Sequence, residues 1–464
     1  LFIAKGVHAK YIASTATIKS AAKQVKSLFA RDMQLFPPSG LRFDDSYFAK
    51  TVSVKDKSGR LYIGYLAPKL SKNGCMEPLA GTLLAAPTKL FNDDNFEQYL
   101  DSWWTQIIYH GSLKGVNNSH TVFQGGAKSH LISITKECLK SELEEELPNW
   151  YKNSSHVTPA LRFNHLMGLN KVEIDKILVT NQVPPELQRI FKKYLPVREI
   201  SLGSLTSKRT ADETAQIFDA LLKDKSDSEH LDVALATNMI SVGLDVSRLA
   251  LMIINGQPLT TAEYIQASSR VGRSQVPGIV FVNYYKTQAR SLSHYENFRA
   301  YHDSFYRFVE PSSLTPFTYQ VCIRALHAAL IIALRYSNVG LLENSKAGDL
   351  DPDARDVKKI ISIFKARIKR AIQQKSKAVA EEIDKINQVN NHIDSLVESW
   401  HNEIKFNENN SLVYNSTDRG TNNLICNFGE ESGRNIPWAT LQSMRNVENI
   451  ALTKLVKGVK QRDV

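Results

Sequence analysis

At 464 residues, with 42% hydrophobic and 23% charged residues, the chain has the make-up of a globular protein of two or three domains, which excludes a disordered or fibrous one. Lysine and arginine number 58 against 47 acids, a formal charge of +11, which favours an anionic partner such as nucleic acid without proving one. The four cysteines, Cys75, Cys138, Cys322 and Cys426, lack the close Cys/His spacing of a zinc site and read as reduced thiols of a cytoplasmic protein.

The opening AKYIASTATIKSAAKQVKSLFA predicts a short strand ending at Ala13, a polar turn from Ser14 to Thr17, and an amphipathic helix from about Lys19. The turn-rich FPPSGLRFDD then marks a linker, taken as residues 36–51. Across 52–290, apolar runs alternate with helical periodicity: LYIGYLAP, QIIYHGSL, KILVTNQ, REISLGSL, DVALAT, LALMIING and GIVFVNYY. That alternation predicts an α/β domain with a mostly parallel sheet covered on both faces. Ligands of such folds collect at the carboxyl ends of the strands, where all the polar motifs are expected.

In PLTTAEYIQASSRVGRS, Thr260 and Glu263 have capping-box spacing, so a helix should start there. Its register places Gln266, Arg270 and Arg273 on one face, with Tyr264, Ala267 and Val271 pointing elsewhere. Two arginines on a helix face are commonly just solvated. Here Gly272 weakens the helix without an evident reason, and planar guanidinium groups suit the charge that spreads over phosphoryl oxygens during transfer.

Beyond 290 helices dominate, so 291–464 is expected to be a helical region. HYENFRAYHDSFYRFVE spaces Tyr295, Phe298, His302, Phe305 and Val309 as one helix face, with His302 a core histidine. The most apolar segment, ALHAALIIALRY, is too short and too charged to cross a bilayer. A long helix is expected over about 354–405, with Val379, Ile383, Ile386, Ile393, Val397, Trp400 and Ile404 as a seam. Asn390 within it could set a coiled-coil register, or the seam could pack on its own domain.

These motifs carry a resemblance. ATNMISVGLDV and QASSRVGR resemble motifs V and VI of superfamily 2 helicases, and STAT at Ser14–Thr17 resembles motif III. LMIINGQPLTTAEYIQASSRVGRS, SHYENFRAYHDSFYRFVEPSSLTPF and LQSMRNVE are similar to the helicase of the DISARM anti-phage defence system and its relatives. The resemblance implies the end of a first RecA-like lobe over 1–35 and a second RecA-like lobe over 52–290, in an ATP-dependent DNA helicase or translocase. It implies Arg270 and Arg273 as arginine fingers, with Gln266 orienting nucleotide and water. Gly243 and Asp245 would meet the nucleotide, the latter at the ribose, and Thr237 a nucleic-acid phosphate. Ser14, Thr15 and Thr17 would couple the two lobes.

YHGSLKG, containing Ser112, resembles motif IV. LTSKR opens a helix at which Thr206, Ser207 and Lys208 could hold a backbone phosphate, although Ser and Thr at a helix start are often only caps. ATP and Mg2+ would be the cofactors, held mainly by a first lobe. The chain contains no Gly-x-x-x-x-Gly-Lys-Ser/Thr loop and no strand-ending Asp-Glu pair. VFQGGAKS is a near miss whose Lys128 reads as a loop lysine, and Asp212 and Glu213 of ADETA read as helix-opening acids. With motif III so close to Leu1, the chain is expected to be the back half of a helicase or one piece of a split protein, without ATPase activity alone. The alternative is a non-catalytic nucleic-acid-binding or scaffolding subunit. Other defence-system subunits are the further partners implied, and no membrane.

Overall fold

The computed structural model describes residues 3–4, 7–8, 10–15, 17–38, 41–42, 45, 47–48, 50–90, 94–146, 159–206, 209, 211–241, 245–273, 276–311, 314, 316–373, 379–406, 412–416, 421–427 and 436–440. They form two compact units, one of residues 40–310 and one of residues 1–39 with 311–464. Near the start, two-residue strands β1 (Ile3–Ala4) and β2 (Val7–His8) pair antiparallel, and α1 spans Ala21–Phe29. The strand expected to end at Ala13 is not formed. Residues 10–15 are irregular and Ile12 is exposed, because a lone apolar tripeptide has no neighbouring ladder to join.

The 40–310 unit is built on six strands: β3 (Leu61–Leu66), β4 (Gln106–Tyr109), β5 (Leu202–Leu205), β6 (Val233–Ala236), β7 (Leu251–Asn255) and β8 (Ile279–Tyr284). They form one sheet in the order β3-β8-β7-β4-β6-β5, every pair parallel. The accompanying helices are α2 (Lys72–Leu90), α3 (Asp94–Trp104), α4 (Leu113–Gln124), α5 (Gly126–Glu146), α6 (Phe163–Leu166), α7 (Lys171–Thr180), α8 (Pro185–Tyr194), α9 (Ala211–Leu222), α10 (Thr261–Ser268), α11 (Ala289–Glu296) and α12 (Phe298–Asp303).

The apolar runs exist because both faces of the sheet are covered. Ile108, Leu235 and Ile253 pack with Met76, Leu84, Phe123 and Leu131 of α2, α4 and α5. On the opposite face Ile107, Ala234, Met252 and Val280 meet Leu221 of α9 and Tyr264 and Ala267 of α10. Successive residues of each strand thus serve opposite layers, as the pleat requires.

One expected strand is a helix. KILVTNQ falls on α7 and its end, because Asn170 accepts from Glu173 N at 3.0 Å while its own N–H donates to the Glu173 carboxylate at 3.0 Å. Ile174 and Leu178 then bury one helical face in a separate core with Leu143, Leu166 and Ile190. Between β4 and β5 the fold therefore carries a helical insert with a core of its own.

The segment expected as one aromatic helix face is broken after Glu296 and again at Ser304 into α11, α12 and a 3-10 turn, Phe305–Phe308. His302 is satisfied, as expected: Nδ1 meets Phe298 O at 2.7 Å and Nε2 meets the Tyr264 hydroxyl at 2.8 Å.

The other unit is mainly helical, with α13 (Tyr319–Ser337), α14 (Arg355–Ile372) and α15 (Ala380–Phe406). The single helix expected over 354–405 is two, since the backbone turns extended at Gln373. Ile386, Ile393, Val397 and Trp400 enter a core with Leu330, Leu334 and Ile368, whereas Val379 and Ile383 are exposed. The seam packs within its own unit. The architecture is therefore the expected one, a six-stranded parallel RecA-like sheet followed by a helical region. Among the described residues no helix is long and apolar enough to cross a membrane. Cys75, Cys138, Cys322 and Cys426 are all free thiols.

Candidate nucleic-acid and nucleotide sites at the two ends of the sheet

The strand register aligns Leu205, Ala236, Tyr109 and Ile254 across four neighbouring strands. The next residue of each strand or strand end is polar: Thr206, Thr237, His110 and Asn255, the last paired in register with Asn283. All five are buried, in one row along the carboxyl end of the sheet. At about 4.8 Å between strands the row is roughly 19 Å long.

His110 is the hub of the row. Its Nε2 lies 2.9 Å from Ser119 Oγ and its Nδ1 3.3 Å from Asn255 Nδ2. Asn255 Oδ1 accepts from Asn283 Nδ2 at 3.1 Å and from the Tyr285 hydroxyl. Burial, helped by the charge of Lys72, pushes the imidazole pKa down to about 3, so the ring is neutral. Thr237 is different. Its backbone is tied to Leu205 O at 3.2 Å, yet its buried hydroxyl has no hydrogen-bond partner among the described residues. A buried hydroxyl without a partner costs stability, and this one stands in the polar row at the carboxyl end of the sheet.

Ser112 caps α4, its Oγ accepting from Gly115 N at 3.2 Å, so its cap role is real whatever else it does. Thr206 is buried in the row, and its carbonyl accepts from Arg209 N at 3.1 Å. Arg209, which the sequence did not single out, spans from Ser204 Oγ to Glu213, with Nη donors at 3.1 and 3.2 Å. Ser207, Lys208 and Gly243 lie outside the described residues.

The arginines sit at the other end. The helix α10 begins where expected, with Thr260 Oγ1 accepting from Glu263 N at 3.2 Å. The reciprocal half of the capping box is not made, because the Glu263 carboxylate accepts from the buried Tyr109 hydroxyl instead. The helix stops at Ser268, so Arg270 and Arg273 do not extend its face as the sequence suggested. They occupy a turn around Gly272, whose φ is +66° and whose N–H donates to Leu249 O at 2.9 Å. A Cβ there would lie 2.6 Å from Gly278 Cα, which supplies the reason for glycine that the helical reading lacked. Tyr264, Ala267 and Val271, expected to point away from that face, are buried.

Leu249 and Gly278 immediately precede β7 and β8, so this turn lies at the amino end of the sheet. The expectation that all polar motifs share the carboxyl end is thereby corrected. With an eight-residue α10, about 12 Å long, crossing one face, the stretch from Thr260 to Arg273 starts at one end and delivers its arginines to the other. The segment that begins with Thr237 at the carboxyl end likewise leads to Asp245, which meets Arg273. Thr237 and Asp245 thus stand toward opposite ends of the sheet.

In the turn, Arg273 Nη1 donates to Asp245 Oδ1 at 2.6 Å and its Nε to Ser269 O at 3.0 Å. The Arg270 pKa is lowered by burial first and by the like charge of Arg273, opposed by Asp245. Gln266 is half-buried on α10, one turn ahead. Arg60, missed by sequence reasoning, clamps the turn: its Nε donates to Val271 O at 2.7 Å and its Nη2 to Ser269 O at 3.3 Å. Glu310 holds the helix start, accepting from Thr261 N at 2.9 Å, and Arg290 Nη1 donates to Gln257 O at 3.0 Å in the preceding loop.

Ser14, Thr15 and Thr17 belong to the other compact unit, in irregular chain, the first two exposed. Lys128 is an exposed lysine on α5 rather than in a loop, and Asp212 and Glu213 open α9. Among the described residues no three His, Cys, Asp or Glu side chains converge as a metal site.

Residues 161–275 match the Helicase conserved C-terminal domain. The chain is 29% identical to the DISARM protein DrmA of Bacillus paralicheniformis over 97% of its own length and 35% of that protein. It thus spans about a third of the curated relative it matches. Among solved structures it is similar to DUF1998 helicase MrfA bound to DNA, with 12% identity, a TM-score of 0.32, and 66% and 30% of the two chains covered. It is also similar to Dbp5 of S. cerevisiae bound to RNA and ADP BeF3, with 11% identity, a TM-score of 0.27, and coverage of 57% and 44%. The domain match and the DISARM relative bear out the resemblance to the C-terminal portion of superfamily 2 helicases that the motifs carried.

Proposed function

We propose that the chain is the C-terminal portion of an ATP-dependent superfamily 2 DNA helicase or translocase of cytoplasmic anti-phage defence. In this reading Arg270 and Arg273 reach the γ-phosphate of ATP held by a partner lobe that carries the phosphate loop and the acidic pair for Mg2+. Planar guanidinium groups then meet charge on the phosphoryl oxygens as it develops. Gln266 orients nucleotide and water, Asp245 and Gly243 approach the nucleotide, and Ser14, Thr15 and Thr17 couple the lobes. Thr237, Ser112, Thr206, Ser207 and Lys208 take the DNA backbone at the carboxyl row.

The observation that carries the reading is the glycine turn. It spends a left-handed residue, an arginine clamp and a backbone contact on holding two arginines at the sheet edge. A solvated pair needs none of these. Companion subunits of a defence system are favoured by the DISARM relative.

The discriminating experiment joins the chain to a phosphate-loop lobe from a relative and measures oligonucleotide affinity with and without a non-hydrolysable ATP analogue. A change in affinity with nucleotide supports the reading. No change supports the alternative, a non-catalytic nucleic-acid-binding scaffold.

A further inference from the structure

In the unit of residues 1–39 and 311–464, α1 and the end of α14 border a cleft of about 330 Å³ that continues into a second hollow of about 240 Å³. Lys23, Lys26, Arg31 and Arg370 line it, from segments more than 300 residues apart in the chain. The single lining carboxylate is Asp32, 3.5 Å from Lys26. Lys23 and Arg370 have no ion-pair partner among the described residues. The sequence of α14, RDVKKIISIFKARIKRAI, carries seven cations, Arg370 among them, and one acid.

A solvated basic helix would spread its charge. Here cations from two elements converge on one concavity, where mutual repulsion is offset by an anion and the field is focused. An aromatic platform adjoins it: the half-exposed Tyr11 ring packs on Phe29 of α1 with centroids 5.2 Å apart, and the Arg31 guanidinium lies 4.8 Å from its centroid. Cationic grooves with held aromatic rings suit single strands, whose unpaired bases offer faces for stacking.

We propose that this cleft is a second contact for single-stranded nucleic acid, with Lys23 and Arg370 taking backbone phosphates and Tyr11 stacking an adjoining base. The site rests on the reading that the chain handles nucleic acid, but on none of the residues of the parallel-sheet unit.

The test is fluorescence anisotropy of labelled oligo-dT with the whole chain over a salt series. Neutralising Lys23→Gln and Arg370→Gln together lowers the magnitude of the slope of log affinity against log salt by about 1.4, and each alone by about 0.7. Tyr11→Ala weakens binding roughly tenfold, whereas Tyr11→Phe, which keeps the ring, leaves it near the parent's. Thr237→Val, at the sheet row, weakens binding while keeping the slope. If it does so and the cleft variants bind like the parent, the cleft is overturned and the sheet row stands. If the parent chain fails to bind oligo-dT at all, both readings fall. Equal competition by a duplex, by tripolyphosphate or by polyglutamate at matched charge also overturns the single-strand assignment.

Discussion

Arg273 Nη1 stands 2.6 Å from Asp245 Oδ1, which joins the glycine turn after α10 to the chain that follows β6. The pair is open to solvent, with the Asp245 side chain 80% exposed and that of Arg273 32%. Exposed pairs contribute little, so Asp245→Asn should change unfolding free energy by less than about 1 kcal/mol in urea titration. In a two-lobe enzyme, if Asp245 accepts a ribose hydroxyl, the same change should raise KM for ATP more than it lowers kcat.

Gly272→Ala should be destabilising by more than about 1 kcal/mol, from the positive φ and the collision with Gly278. Urea midpoints measure it. A midpoint like the parent's would mean the turn is not held as described.

Arg60→Lys removes a forked donor from the Val271 and Ser269 carbonyls, and a lysine cannot reproduce two donors in one plane. A loss of roughly 1–3 kcal/mol is expected. In the joined enzyme turnover should fall while oligonucleotide affinity holds, because Arg60 supports the arginine turn and not the carboxyl row.

His110 makes stability depend on pH. Its folded pKa of about 3 lies below the ordinary 6.5, so the unfolded chain binds the extra proton first. Its contribution is complete above pH 6.5 and is lost as pH falls from 6.5 toward 3, at up to about 1.4 kcal/mol per pH unit. Comparing urea stabilities at pH 7 and 5, His110→Gln should show a smaller drop than the parent. Other histidines with lowered pKa, such as His302 and His327, share the parent's drop, so the difference between the two proteins is the readout.

Thr237→Val keeps the shape and removes a hydroxyl that has no partner among the described residues. Stability should hold or rise slightly, while oligonucleotide affinity falls about fivefold, the worth of one hydrogen bond. Loss of stability with unchanged binding would reassign Thr237 to packing.

The strands were legible because buried parallel strands read as apolar runs, as in LMIIN of β7 and VALA of β6. KILVTNQ misled for the same reason: a short apolar run does not by itself separate a strand from a buried helix, and the Asn170–Glu173 box decides it. Gln266, Arg270 and Arg273 were visible as a motif, but their separation from Thr237 along the sheet was not, since it follows from the length of α10 and where it stops. Arg60 was invisible because its partners lie 209 and 211 residues further along the chain. The polar row of Thr206, Thr237, His110, Asn255 and Asn283 becomes a unit only when the register aligns four distant segments and a fifth.

We propose the glycine turn as the source of arginine fingers for a partner lobe. The most direct measurement is steady-state ATP turnover of the chain joined to a phosphate-loop lobe, comparing parent, Arg270→Ala and Arg273→Ala with oligonucleotide binding measured in parallel. For either variant kcat should fall by about three orders of magnitude or more, with binding largely retained. Turnover that survives both substitutions, or binding lost while turnover persists, would contradict it.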